Sequence, residues 1–190
     1  MSMHKFVAAT AVALSALAFS QSASAVVLTT SSGANLVTDY SEAGMVSFDL
    51  DLRDFSTTTL NFVLEEADLA GPLSFSAIIR NLVGLSMHQF NFGLQGISYA
   101  AAGSVSSFSG AQASHSSSYA VIKFANGETA DTLFGNPTLV DGRSDWLLDT
   151  SGLSAGDTFS IVAQVPEPST VAMVLPLMAG LLLARRRKRD

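Results

Sequence analysis

The chain has no cysteine, and only 14% of its 190 residues are charged. Without thiols there is no disulfide framework and no thiolate zinc site, so packing alone must hold the fold. Histidine is scarce too: after His4 come only His88 and His115, which further disfavours zinc. Positive charge is rarest where a fold would sit. Val26 to Val165 holds 14 acids against Arg53, Arg80, Lys123 and Arg143, a net of −10. A nucleic-acid partner is thereby excluded, because phosphate must be met by a basic face. Long segments of helical period are missing, and no internal repeat points to a solenoid or propeller. There is no Gly-x-Ser-x-Gly nucleophile elbow, no EF-hand run of aspartates with a distal glutamate, and no Asn-x-Ser/Thr acceptor, since Pro137 follows Asn136.

What is present sits in three unlike pieces. Residues 1–25 read as a secretory signal: Lys5 supplies the positive start, Phe6 to Phe19 is a run of apolar and small residues, and Ala23-Ser24-Ala25 offers a small-x-small cleavage site. Signal peptidase is expected to cut after Ala25. A domain of about 140 residues can then fold outside the cell without disulfides.

The third piece, residues 165–190, begins with Val165-Pro166-Glu167-Pro168. Two prolines around a glutamate cannot continue a helix or a central strand, so the motif is an extended, accessible break. Val171 to Ala184 follows, uncharged and almost wholly apolar, and then Arg185, Arg186, Arg187, Lys188 and Arg189. Fourteen helical residues rise about 21 Å, short of a hydrocarbon core of about 30 Å. Ser169, Thr170 and snorkelling arginines lengthen the span, and the basic cluster stops it on the cytoplasmic side. The plain alternative is a single-pass anchor kinked at Pro176.

Motif, short apolar helix and basic terminus, in that order, resemble the PEP-CTERM sorting domain. The resemblance covers about the last 25 residues. It implies recognition by the membrane enzyme exosortase in Gram-negative, exopolysaccharide-producing bacteria. It also implies transient retention in the inner membrane, processing near Pro166-Glu167-Pro168, and transfer to the envelope, cell surface or extracellular matrix. Gly152 to Ile161 is loosely similar to the turn and last strand of sandwich domains that precede this signal.

Between the two addresses, residues 26–164 carry a β pattern. Met45 to Leu52 alternates Val, Phe and Leu with Ser and Asp, the period of a half-buried strand. Thr59 to Leu64, Leu73 to Arg80, His88 to Leu94, Tyr119 to Ala125 and Thr158 to Val165 are further strands. Turn signals fall at Ala70-Gly71-Pro72, Asn126-Gly127, Asn136-Pro137, Asp141-Gly142 and Ala155-Gly156-Asp157. Glu65 to Leu69 suits one short helical turn. The spacing predicts an all-β domain, a single antiparallel β-sandwich of about seven to nine strands, Ig-like or jelly-roll-like, flanked by the signal helix and the C-terminal hydrophobic helix. Ser104 to Ser118, with eight serines in fifteen residues, reads as a flexible loop or a weakly packed edge strand.

Few residues are equipped for chemistry. His88 alternates with Phe90 and Phe92 and is expected to share their face, and His115 lies in the serine-rich stretch. Glu65, Glu66 and Glu128 are the candidates for a paired-carboxylate glycosidase, whose geometry only the fold can supply. Asp141, Asp145 and Asp149 are weak candidates for a calcium site, whereas Asp49 and Asp51 read as the solvated face of their strand. Trp146, Tyr40, Tyr99 and Tyr119 are the aromatics available to stack on sugars. The expected role is a non-catalytic structural or binding component associated with exopolysaccharide or biofilm. The rival readings are a secreted polysaccharide-active enzyme and a calcium-dependent carbohydrate-binding module.

Overall fold

The computed structural model describes residues 25–166. Ala23, Glu167, Pro168 and the basic cluster Arg185 to Arg189 lie outside the described residues, as do both expected flanking helices, while Ala25 and Pro166 stand at the two ends of the described chain. The strands run in order β1 (Val27–Ser32), β2 (Leu36–Asp39), β3 (Met45–Leu52), β4 (Thr58–Val63), β5 (Leu73–Asn81), β6 (Met87–Gln95) and β7 (Ser98–Ala101). They continue with β8 (Val105–Ser107), β9 (Ala111–His115), β10 (Tyr119–Glu128), β11 (Thr132–Phe134), β12 (Trp146–Asp149) and β13 (Thr158–Gln164). One 3-10 turn, Glu66–Ala70, separates β4 from β5, where a short helical turn was expected.

The strands form two sheets. One has the order β1-β4-β13-β6-β10-β9, and the other has β2-β3-β5-β11-β8 with β12 beside β5 and β7 beside β12. Alternation dictates which side chains meet between them. Val46, Phe48, Leu50 and Leu52 from β3 and Leu73, Phe75, Ala77 and Ile79 from β5 point inward and are buried. Phe92 of the first sheet reaches across to Phe75 and Phe134 of the second, with ring centroids 5.2 and 4.8 Å apart. These edge-to-face contacts close an all-β core without any disulfide.

The sheets are not wholly antiparallel, as the alternation had suggested. β3 and β5 pair in parallel from Met45↔Ser74 to Leu52↔Asn81. The reason is topological: the chain leaves β3 for β4 in the opposite sheet and returns beside β3 in the same direction. Thirteen strands replace the expected seven to nine, because β7, β8, β11 and β12 have only three or four residues, too few to show a period. Asn126-Gly127 is not a turn. It is a bulge within β10, where the register against β6 slips between Lys123 and Glu128. Gly127 has φ 74°, the left-handed conformation that favours glycine, and a Cβ there would also force the Ser86 hydroxyl to move.

The serine-rich segment resolves into two edge strands, β8 on one sheet and β9 on the other. Serine and alanine suit such edges because they add little bulk and tolerate water on one side.

Candidate functional site

The outer face of the second sheet carries the most developed surface feature. Ser47 and Asp49 on β3 and Ser76 and Ile78 on β5 point away from the core, and parallel register sets Ser47 opposite Ser76 and Asp49 opposite Ile78. Ser76 Oγ lies 3.2 Å from Ser47 Oγ. Arg80 binds Asp49 through Nη2 and donates to Asp51 through Nη1 at 3.1 Å. Asp49, expected to be solvated, is buried. Period predicts a face but not what lies over it, and here Asn136 to Leu139 lies beside that face.

That loop is built to hold its shape. Asp145 Oδ1 accepts from Asn136 N–H at 2.7 Å, Asn136 Oδ1 accepts from Val140 N–H at 2.8 Å, and Asn136 Nδ2 donates to the Val140 carbonyl at 3.1 Å. Leu139 is consequently held at φ 53°, the one non-glycine residue with positive φ among the described residues, while its side chain is 83% exposed. A left-handed leucine stores strain of order 1–3 kcal/mol, and such strain tends to collect where a surface is used.

Between this loop and the β2–β3 turn runs an open groove of about 370 Å³, lined by Tyr40, Glu42, Met45, Ile78, Pro137 and Leu139 with the serines and Asp49 at its floor. Tyr40 is anchored by its N–H to the Ser47 carbonyl at 2.8 Å, and it stands 54% exposed. The groove therefore offers an aromatic face, aliphatic walls, hydroxyls and the exposed carboxylate of Glu42. Sugar rings have this mixture of C–H faces and hydroxyl edges. General acid–base work on a glycosidic bond needs two free carboxylates flanking it. Of the two here, Asp49 is committed to Arg80.

The other candidates are spread through the fold in structural roles. Trp146 is fully buried, stacked on Phe134 at 4.6 Å and 12°, with Nε1 donating to the Ser104 carbonyl at 3.2 Å. It is a core residue and no platform for a sugar. Tyr99 is buried beside it, and burial pushes its phenol far up. Tyr119 lies at the other sheet, its hydroxyl 3.3 Å from Gln164 Oε1. His88 is not buried with Phe90 and Phe92: it is exposed at the start of β6, where Met87 is buried instead. His115 is exposed on β9, with its ring 5.5 Å from Trp146.

Glu65, Glu66 and Glu128 do not form a catalytic pair. Glu65 precedes the 3-10 turn, where its N–H donates to Asp68 Oδ2 at 2.8 Å, and Glu66 is exposed. Glu128 is buried, yet its Oε2 accepts from Ser109 N–H and Oγ at 2.8 and 2.9 Å, and its Oε1 accepts from Thr129 and Ala130 N–H at 3.0 and 2.9 Å. Burial raises its pKa, but these donors together outweigh that and hold the carboxyl below its ordinary value. A carboxylate held ionised by four internal donors is poorly suited to give up a proton.

Asp141, Asp145 and Asp149 are not brought together as a ligand set, and no cluster of three or more metal-ligating side chains occurs among the described residues. Asp145 caps the groove loop, and Asp149 is held below its usual range by Ser151, through the hydroxyl and then the N–H at 2.9 Å. Glu42 and Leu139 were not singled out from the sequence. The turn residues Asn136-Pro137 and Asp141-Gly142 marked the loop, but not the strand face beside it. The chain matches no known family profile, no curated protein and no solved structure.

Proposed function

We propose that this is an exported, non-catalytic component of the cell envelope or extracellular matrix, whose groove over β3 and β5 takes the ring faces of exopolysaccharide sugars. Signal peptidase removes residues 1–25, and the apolar C-terminal helix holds the protein in the inner membrane. Exosortase then acts near Pro166-Glu167-Pro168. The observation that carries the binding reading is Tyr40, a half-exposed ring in an open groove with hydroxyls below and Glu42 beside it. Against the enzyme alternative stands the commitment of Asp49 and Glu128 to internal partners. Against the calcium-dependent module stands the separation of the three aspartates.

Two measurements test this. The intact mass of the mature protein from wild-type and exosortase-deleted cells locates both cuts, and an unchanged C-terminal mass after deletion overturns the sorting. Sedimentation of the protein with the producer's own exopolysaccharide tests the groove. Binding that Tyr40→Ala leaves intact, or that chelation of calcium abolishes, overturns that part, as does turnover of the polysaccharide by the pure protein.

A further inference from the structure

The register of the two sheets orients the domain relative to its own tail. β1 starts opposite the last residue of β4, Val27↔Val63, so the chain enters at one end of the sandwich. β13 runs the other way along β6, with Gln164 opposite Asn91, so Val165 and Pro166 leave toward the end where β6 begins and β5 finishes. Three large apolar side chains stand out at that exit end: Leu82 at 60%, Leu85 at 61% and Phe108 at 90% exposure. They sit on two neighbouring turns pinned to one hub. Asn81 Nδ2 donates to the Leu85 carbonyl at 2.8 Å and to the Glu128 carbonyl at 2.9 Å, while the Glu128 carboxylate holds Ser109. The apolar tips are therefore presented on a rigid base.

Charge is divided along the same axis. Glu42, Glu65, Glu66, Asp68, Asp149 and Asp157 lie at the entry end with no basic residue among them. The half nearest the exit carries Arg53, Arg80 and Lys123 among Asp49, Asp51, Asp54, Glu128 and Asp131, so its acids are largely offset; Arg80 is shared by Asp49 and Asp51, and the Glu128 carboxylate is held by backbone N–H groups. From Pro166 to Val171 is five residue steps, a reach of about 17 Å when fully extended. A tail inserted at Val171 thus confines the exit end to the membrane surface and turns the acidic end away from it.

We infer that the exit end docks on the lipid bilayer, with Leu82, Leu85 and Phe108 dipping into the interfacial layer; this rests on the reading that the apolar tail enters the membrane. Apolar side chains on an otherwise polar surface gain by leaving water for the headgroup boundary, and the tether supplies the proximity. Docking holds the Pro166-Glu167-Pro168 motif at the bilayer surface and leaves the groove loop on the flank of the sandwich.

The lack of cysteine makes the test direct, because one introduced thiol can be labelled alone. The signal-cleaved chain, reconstituted into phosphatidylethanolamine and phosphatidylglycerol vesicles with shallow nitroxide lipids, would carry a fluorophore at Ala130→Cys, Glu66→Cys or Leu177→Cys. Ala130 marks the exit end, Glu66 the entry end and Leu177 the tail. The expected result is quenching at Ala130 and Leu177 but not at Glu66. It should also be lost at Ala130, and kept at Leu177, in a background of Leu82→Ser, Leu85→Ser and Phe108→Ser. Those residues are exposed, and unchanged emission from buried Trp146 confirms the fold. An unquenched Ala130 probe beside a quenched Leu177 probe overturns the docking and leaves the tail reading standing. Equal quenching at Ala130 and Glu66 overturns it likewise. An unquenched Leu177 probe overturns the tail reading and the docking together.

Discussion

β3 and β5 have two faces that do opposite things. Inward, Phe48 and Phe75 join Phe92, Phe134 and Trp146 in a continuous aromatic core. Outward, the same strands offer Ser47, Ser76 and Asp49, which are nearly as well covered but satisfied by hydrogen bonds and, for Asp49, by an ion pair with the half-buried Arg80. Burial alone does not separate the two faces. What separates them is how the cost of burial is met: apolar area on one side, specific partners on the other. The first kind gives stability that depends on volume, and the second gives geometry that depends on each donor and acceptor.

The comparison can be broken at several points, beginning with the inner face. Trp146→Ala should cost about 3–5 kcal/mol, read as a lowered denaturant midpoint, because it empties the space against Phe134 and Tyr99 and frees the Ser104 carbonyl. Glu128→Gln should cost about 1–3 kcal/mol, since an amide NH₂ must then face backbone N–H groups. The same variant carries a pH signature. With its folded pKa depressed, Glu128 contributes fully above its unfolded value of about 4.3, and that contribution is lost as pH falls through the folded value. Acid titration of the wild type should show this loss, and E128Q should lack it. If the two curves run parallel, the hub is not held by the ionised carboxylate.

On the outer face the effects shrink. Asp49→Ala leaves Arg80 with Asp51 alone, and because water already reaches the guanidinium, stability should fall by only about 1 kcal/mol in thermal unfolding. Tyr40→Ala should change stability by no more than about 0.5 kcal/mol, being half-exposed, yet weaken polysaccharide binding about tenfold, equivalent to about 1.4 kcal/mol. A Tyr40 variant that loses stability and keeps binding would invert the division between the two faces.

Much of the inner face was legible in the chain. The alternation in Met45 to Leu52 and Thr158 to Val165 names Phe48, Leu50, Phe159 and Ile161 as core, and all are buried. Trp146 was not legible, because β12 is four residues long and its partners Ser104 and Phe134 are 42 and 12 positions away. Asp49 was misread for a related reason. Its parity was right, but Arg80, which reaches back to it from the parallel neighbour β5, is thirty-one positions later, and the groove wall beside it comes from residues 136–139.

The sequence by itself determined the period of the main strands, the acidic balance of the body and the chemistry of the two terminal segments. Each of these depends on neighbouring residues or on simple counts. Only the tertiary structure decided that β3 and β5 run in parallel, that a strained loop stands beside their outer face, and that Asn81, Ser109 and Glu128 meet at the end where the chain departs. Those features depend on contacts across tens of residues, and local pattern has no reach over such distances.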